Sequence, residues 1–600
     1  MEKQKLRSEI DSKYKWDLTK IYKTDNDFYN DLDLLKEKIK EYSKYKNNLF
    51  ENIDNFKNYL KLDCEVDKLF NKLYSYANKN YDSDTTCVDY QKMVGEVSDC
   101  YTKYSLATSF VNPLIYENTE RLKEFLQDEE LIKYKRFFDE ILRYKSHTLD
   151  TEKEEIISNF NNVLNSSDNS YFTLTDTDLV FPTIKDEEGN DVELTESNFS
   201  KYIKSKDRNV RIDAFNKLLD TYSNFKNTIT SLYVSHINSD IAINKVRGYS
   251  SSLEKYLYPD KIKVDVYNNL IDTVSKRTDV INNYFKTIKE TLGLEQLHRY
   301  DTYTDLVDSS NKNYSYEEGK KIVLDALSIL GDDYISHLQE AFNDGWIDVY
   351  NSKGKRSGAY SSGCYDTVAY ILLNYEDKLN DVSTLAHELG HSMHTYYSCK
   401  NNDRIYADYK IFVAEVASTT NELLLNDYLL KNSKDNHEKL EILSNLMSLY
   451  YATIVRQTMF SEFERDVYKL REEEKQITHE VLEEKYLSLC KKYFGDNVVV
   501  DDKIKYEWMR IPHFYYGFYV YKYATSISAA TYIKEKLVSD PDFVNKYIKF
   551  LSSGDSMDPL DELKLIDIDL TDSKVIDSAM DKFNYYIDEF KKVKELLGSE

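Results

Sequence analysis

The stretch TLAHELGHSMH, residues 384–394, decides how the rest of the chain is read. It places three histidines and a glutamate within eight positions of a 600-residue chain that has ten histidines in all. Drawn as a helix, His387 and His391 differ by roughly 40° around the axis and about 6 Å along it, so both imidazoles can face one point. A tetrahedral zinc at about 2.0–2.1 Å from each nitrogen fits there. Glu388 follows the first histidine and projects beside such a metal, where it can take a proton from a water the metal holds. This is the HExxH arrangement of zinc hydrolases. The competing reading is a polar helix face whose histidines are satisfied by hydrogen bonds alone. Gly390 costs the helix about 1 kcal/mol of propensity, which predicts a neighbour packed close to its backbone.

Two histidines leave the site incomplete. His394 lies on nearly the same face as His387, but about 4.5 Å past His391 along the axis. That is an awkward reach for a metal seated between the first two. A second helix closes a tetrahedron more easily, and IFVAEVASTTNELL, residues 411–424, offers one. Phe412, Val413, Val416 and Ala417 make a packing face. Glu415 sits among Ala414, Ala417 and Ser418, which are small enough for another helix to come close. A carboxylate among such neighbours is expensive unless it is paired or bound to a metal. Against this stands an ordinary exposed glutamate, so His394 and Glu415 both remain candidates on these grounds.

Composition narrows the class. With 41% apolar and 14% aromatic residues the chain can bury a large core. It carries 80 basic and 105 acidic residues, a net charge of −25, so bulk charge will not hold nucleic acid or an anionic membrane. Six prolines and fifteen glycines are few turn formers for this length, which predicts long helices over an all-β fold. No apolar run is long enough for a transmembrane helix. The opening MEKQKLRSEIDSKYKWDLTKIY has no secretory apolar core, and the six cysteines form no CxxC pair. The expectation is a mainly α, cytoplasmic protein with reduced thiols.

Along the chain, FYNDLDLLKEKIKEY (28–42) and LKEFLQDEELIKYKRFFDEILRY (122–144) space apolar residues three and four apart and predict helices. The pattern breaks at 165–200. There DLVFPTI reads as extended, DEEGND as a turn, and Thr195 or Ser197 as the next helix cap. This predicts a small hairpin near 170–195 and a boundary between an N-terminal helical domain, 1–200, and a domain of 201–600. The second break, 346–376, contains TVAYILLNY, a predicted strand, and then Asp381 or Ser383 as a cap for the histidine helix. The glycines of KRSGAYSSG suit a loop and edge strand around Gly358, Ala359 and Tyr360, where a substrate backbone can approach and pair.

One later segment, RIPHFYYGFYVYKYATS (510–526), combines histidine and tyrosines. His513, Tyr516 and Tyr519 recur at spacing three, which on a helix is one face. Hydrolysis by a zinc-activated water develops an oxyanion, and one well-aimed phenol or imidazole donor is worth about 3–4 kcal/mol. The competing reading is aromatic packing in a chain with 54 tyrosines.

Taken together, VSTLAHELGHSMH, FVAEVASTTNE, GKRSGAYSSG, KVRGYSSSLE (245–254), YKWDLTKIY and RIPHFYYGFYVYKYATS resemble the oligoendopeptidase F branch of the thimet oligopeptidase family of zinc metallopeptidases. The matches span most of the chain. The resemblance implies two largely helical lobes enclosing a deep substrate channel, with a small β-sheet beside the HExxH helix. It implies one Zn2+ per chain and endopeptidase cleavage of short, unstructured oligopeptides, with folded proteins excluded. It makes Glu415 the third ligand beside His387 and His391. His394 becomes an outer or substrate-side residue, and His513 with Tyr516 and Tyr519 become transition-state donors, Tyr515 and Tyr523 being the other registers. A carboxypeptidase or dipeptidase on the same zinc chemistry, and a non-catalytic helical peptide binder, are the alternatives. The intact Glu388 argues against the binder, which needs no base.

Overall fold

The computed structural model describes residues 5–308 and 312–597, and helices carry most of them. The apolar spacing explains why. In the helix Asp25–Glu41, Phe28, Leu32, Leu35 and Ile39 are buried in one stripe. Thr24 and Asp27 close its start reciprocally: the Asp27 N–H donates to Thr24 Oγ1 (3.3 Å), and the Thr24 N–H donates to the Asp27 carboxylate (3.0 Å). The segment 122–144 is not one helix, however. It divides into Thr119–Phe125 and Lys135–Arg143. Between them Asp128 accepts the Glu130 N–H (2.9 Å) and pairs with Lys57, a local alternative to helical bonding.

The chain forms two compact units, each assembled from three separate stretches. The first comprises Met1–Thr151, Lys312–Leu425 and Lys536–Ile566. Its helices Asp25–Glu41 and Ile53–Ser83 share a core with Tyr370 and Leu372 of a small three-stranded sheet. In that sheet Thr367–Leu372 is central. It pairs in parallel with Ile347–Asp348 and antiparallel with Tyr360–Cys364, which is an edge. Gly363 is required at the bulge in this edge, because a Cβ there would lie 2.6 Å from Ala369 Cα. Trp16 and Asp17 back the central strand: the Trp16 ring meets Tyr370 edge-on (6.2 Å), and the Tyr370 hydroxyl donates to the Asp17 carbonyl (2.8 Å).

After the sheet comes the histidine helix, Leu379–Asn401. It begins earlier than the expected caps. Lys378 is the cap residue, and Asp381, in the first turn, accepts the backbone N–H groups of Glu376 and Lys378 (both 2.9 Å). A companion helix, Ile411–Asn432, lies against it. At their contact a Cβ on Gly390 would sit 2.6 Å from Ser418 Cα and 2.8 Å from the Ala417 carbonyl. This is the close neighbour that the glycine foretold. Asn421 of the companion helix donates to the Ala386 carbonyl (3.1 Å) and accepts from the Tyr334 hydroxyl (3.1 Å).

The second unit comprises Glu152–Asn311, Asn426–Glu535 and Asp567–Glu600. Its hairpin pairs Thr183–Lys185 with Asp191–Glu193, and Thr195 caps the helix Glu196–Ile203. A two-residue parallel pair joins Leu297–His298 to Val498–Val499. Glu507 is buried deep within it, paired with Arg456 (2.6 Å) and accepting from the Tyr486 hydroxyl (2.7 Å).

Gly390→Ala should overpack the contact between the two helices and destabilise the protein by roughly 1–3 kcal/mol. Urea unfolding of the variant beside wild type, comparing midpoints at equal slope, measures this.

Candidate active site

Three side chains of the first unit converge. His387 Nε2 and His391 Nε2, one helical turn apart, are 3.2 Å from each other. Glu415 Oε2, brought in by the companion helix, lies 3.5 Å from the first and 3.7 Å from the second. A circle through three atoms so spaced has a radius of about 2 Å, which matches a zinc–ligand bond of about 2.0–2.1 Å. Two imidazole lone pairs facing one another at this distance repel unless a proton or a metal lies between them. The donor set therefore fits a divalent ion. Ser418 steadies the acid: its hydroxyl donates to Glu415 Oε2 (3.1 Å).

His387 Nδ1 is 3.2 Å from Glu422 Oε1. A proton held on Nδ1 by this carboxylate leaves the Nε2 lone pair free for a metal and fixes the ring's orientation. No role was read for Glu422 in the sequence, although it lies seven residues after Glu415 on the same helix. Seven residues are about two turns, and that spacing was the available signal.

The electrostatics are those of an acid-rich pocket around two histidines. Burial works against charging His387, but the carboxylates of Glu422, Glu388 and Glu415 outweigh it and raise its pKa to about 9. Burial and the neighbouring His387 depress His391. Near neutral pH the pair thus holds one proton on the His387 side. Glu388 is 6% exposed. Burial, reinforced by Glu415 and Glu422, raises its pKa to about 7, while His387 and the Ser361 N–H that it accepts pull the other way. Ser361 belongs to the sheet's edge strand, so the candidate base lies beside an unpaired strand edge. The Ser361 and Ser392 hydroxyls bond each other (2.8 Å), tying that edge to the histidine helix.

The other predicted residues are placed differently. Gly358 is exposed with φ +85°, and its carbonyl accepts from Asn374 (2.8 Å). Ala359 and Tyr360 are half-buried, and the Tyr360 hydroxyl donates to Asp82 (2.6 Å). His394 is wholly buried and stacks on Tyr409 at 3.7 Å. Neither of its ring nitrogens has a hydrogen-bond partner, and burial drives its pKa to about 3. A ring so enclosed offers a peptide no surface.

His513, Tyr516 and Tyr519 lie in the second unit. The single helix expected from their spacing does not form. A short 3-10 turn, Pro512–Tyr515, ends in a reversal at Gly517 (φ +61°) and Phe518 (φ +49°), and the next helix starts at Tyr521. The rings still gather: His513 is 5.5 Å from Tyr516 and 6.2 Å from Tyr523, and Tyr519 is 5.5 Å from Tyr523. Tyr515 points inward, 8% exposed and stacked on Tyr171 (4.2 Å), whereas Tyr516 is 51% exposed.

Residues 201–582 match the family model described as peptidase family M3. The chain belongs to peptidase family M3. Residues 118–181 match the model described as oligopeptidase F. Oligopeptidase PepF of Bacillus subtilis is 38% identical over 98% of this chain and 88% of its own length. Group B oligopeptidase PepB of Streptococcus agalactiae is 35% identical over 96% of each. The solved oligoendopeptidase-F from Enterococcus faecium superposes with a TM-score of 0.74 at 30% identity, covering 95% of this chain and 99% of that one. A solved structure from Chlamydophila abortus reaches a TM-score of 0.92 at 34% identity, covering 98% and 100%. The protein is thus an M3 metallopeptidase of the oligoendopeptidase F kind, as its motifs implied. His387, Glu388, His391, Glu415 and Glu422 all fall within the M3 match.

A metal entering this M3 site must displace the proton on the histidine pair. Zinc binding to metal-free protein at pH 7 should therefore release about one proton per ion from His387 and up to about half a proton more from Glu388, read calorimetrically in buffers of different ionisation enthalpy. Glu422→Gln removes the leading carboxylate that raises His387. It should reduce that release and weaken zinc binding roughly 10–100-fold.

Proposed function

We propose that the protein binds one zinc ion through His387, His391 and Glu415 and hydrolyses internal bonds of short, unstructured oligopeptides, with Glu388 as general base. The observation that carries this reading is the spacing of the three donor atoms, with the Glu388 carboxyl next to them and next to the strand edge. When bound, zinc supplies Lewis-acid polarisation of the scissile carbonyl and lowers the pKa of water.

The remaining work falls to the chain. Tyr360–Cys364, with Gly358 and Ala359 before it, offers an edge on which an extended peptide can add as a further strand. Such addition accepts a main chain of any sequence but requires it to be unfolded. Glu388 takes the proton of the attacking water and passes it to the leaving amine. Its raised pKa keeps its basicity high enough for the first transfer and its acidity high enough for the second. His513, Tyr516 and Tyr519 would donate hydrogen bonds to the oxyanion, a role supported by their clustering and by the exposure of Tyr516. The six cysteines are free, in keeping with a cytoplasmic setting. No helix among the described residues is long and apolar enough to cross a membrane.

The test is to incubate the purified protein with a peptide pool blocked at both ends, with and without a chelator, and to map the cuts by mass spectrometry. Internal cuts abolished by the chelator support the reading. Cutting confined to peptides with a free terminus would replace it with an exopeptidase. Presenting one sequence both free and in a rigid loop of a stable protein tests the need for unfolded substrate, since equal rates would refute it.

Glu388→Gln should retain zinc and peptide binding while kcat falls by roughly 10²–10⁴. Because the base must be deprotonated, kcat/KM should fall as pH drops through the pKa of Glu388. That limb should lie at or below about pH 7, since a bound cation favours the carboxylate. A pH profile locates it, and it should be absent from the residual activity of the variant.

A further inference from the structure

Glu464 lies on the helix Gln457–Glu472 of the second unit and is completely buried. One carboxyl oxygen accepts the Phe518 N–H at 2.7 Å, and the other has no hydrogen-bond partner. Burial raises its pKa to about 8, so it is mostly neutral near pH 7. A polar group kept in so costly a place calls for a reason.

The amide it holds supplies one. Phe518 is a non-glycine residue in the left-handed region (φ +49°), directly after Gly517 (φ +61°). Left-handed backbone at a bulky residue is strained and persists only where surroundings enforce it. Here they do so from two further directions. The Tyr256 ring fills the space a Gly517 side chain would need, since a Cβ there would lie 2.1 Å from it. That ring is anchored by its hydroxyl, which donates to Asp240 (2.7 Å), and the Tyr468 hydroxyl donates to the same carboxylate (2.6 Å). The Phe518 ring packs on Tyr468 at 4.8 Å. The two left-handed residues reverse the chain between Tyr516 and Tyr519 and leave both close to other members of the His513 cluster.

We propose that Glu464 is a positioning residue for the peptidase reaction: by accepting the Phe518 N–H it locks the Gly517–Phe518 reversal that presents Tyr516 and Tyr519. The inference rests on the reading that His513, Tyr516 and Tyr519 serve the reacting peptide. Glu464 itself touches no substrate. It replaces the hydrogen bond that would otherwise tie this amide to a helical or extended neighbour, and so removes the conformations in which the two hydroxyls point elsewhere.

The test compares Glu464→Gln, which keeps an acceptor oxygen and the side-chain shape, with Glu464→Met, which keeps the volume and removes the acceptor. Both are assayed as zinc-loaded full-length enzyme on a quenched fluorescent oligopeptide. Glu464→Gln should stay within about threefold of wild-type kcat, whereas Glu464→Met should lose roughly tenfold or more in kcat with little change in KM or zinc content. In a Tyr519→Phe background the further loss from Glu464→Met should shrink, because the two act through one group. Should Glu464→Met fail to fold, Gly517→Ala strains the same reversal and should show the same split of kcat from KM. Wild-type kcat in Glu464→Met, or in Gly517→Ala where that variant stands in for it, overturns the proposal. So does an equal loss in Glu464→Gln and Glu464→Met. If Tyr516→Phe and Tyr519→Phe both turn over normally, the reading of the segment fails and takes the inference with it. If either is impaired while Glu464→Met is not, only the inference fails.

Discussion

The cluster of His387, His391 and Glu415 depends on how closely two helices approach at Gly390. The glycine lies between the two histidines of the HExxH motif, and Ser418 and Ala417 of the companion helix occupy the space a side chain would need there. Glu415 is one turn before Ser418. Its distance from the histidines is therefore set by that contact, and a carboxylate has too short a reach to recover a helix displaced by a methyl group. The same contact aligns Asn421 with the Ala386 carbonyl and Glu422 with His387. One missing side chain thus places Glu415, Glu422 and a buried hydrogen bond together.

Charge completes what packing begins. Glu388, Glu415 and Glu422 surround two histidines that share one proton, so the pocket carries an excess of negative charge partly removed from water. Such a cluster is costly until a cation enters. This explains why His387 is raised and why Glu388, buried beside two other carboxylates, is pushed so far above an ordinary glutamate. The groups that would bind a metal and the group that would act as base are tuned by the same field. Changing Glu422 would therefore be felt at Glu388 as well as at His387.

The second unit solves a related problem with hydrogen bonds and packing. Its reversal at Gly517–Phe518 is held by a buried carboxyl, a tyrosine anchored on Asp240 and aromatic packing. A protonated Glu464 accepts a hydrogen bond without bringing a full charge into the core. The acids around His387 favour its charged form, whereas Glu464 acts on the backbone it holds.

Much of this was legible in the sequence because helix geometry is local. The four-residue spacing of His387 and His391, the small residues around Glu415 and the unexplained Gly390 each follow from rotation per residue and side-chain size. The scarcity of proline and glycine likewise announced a helical fold. What the sequence could not supply were the consequences of contacts between distant stretches. Each unit is woven from three separate segments, and no local signal marks such exchanges. Three equally spaced residues from His513 to Tyr519 read as a helix, yet Glu464 and Tyr256 impose a reversal within them. His394 and Tyr515 looked as available as their neighbours, but packing against Tyr409 and Tyr171 enclosed them. Local chemistry determined which residue types could build the site. Burial and backbone reversal, which are sums over contacts remote in sequence, decided which of them are enclosed and which stay exposed.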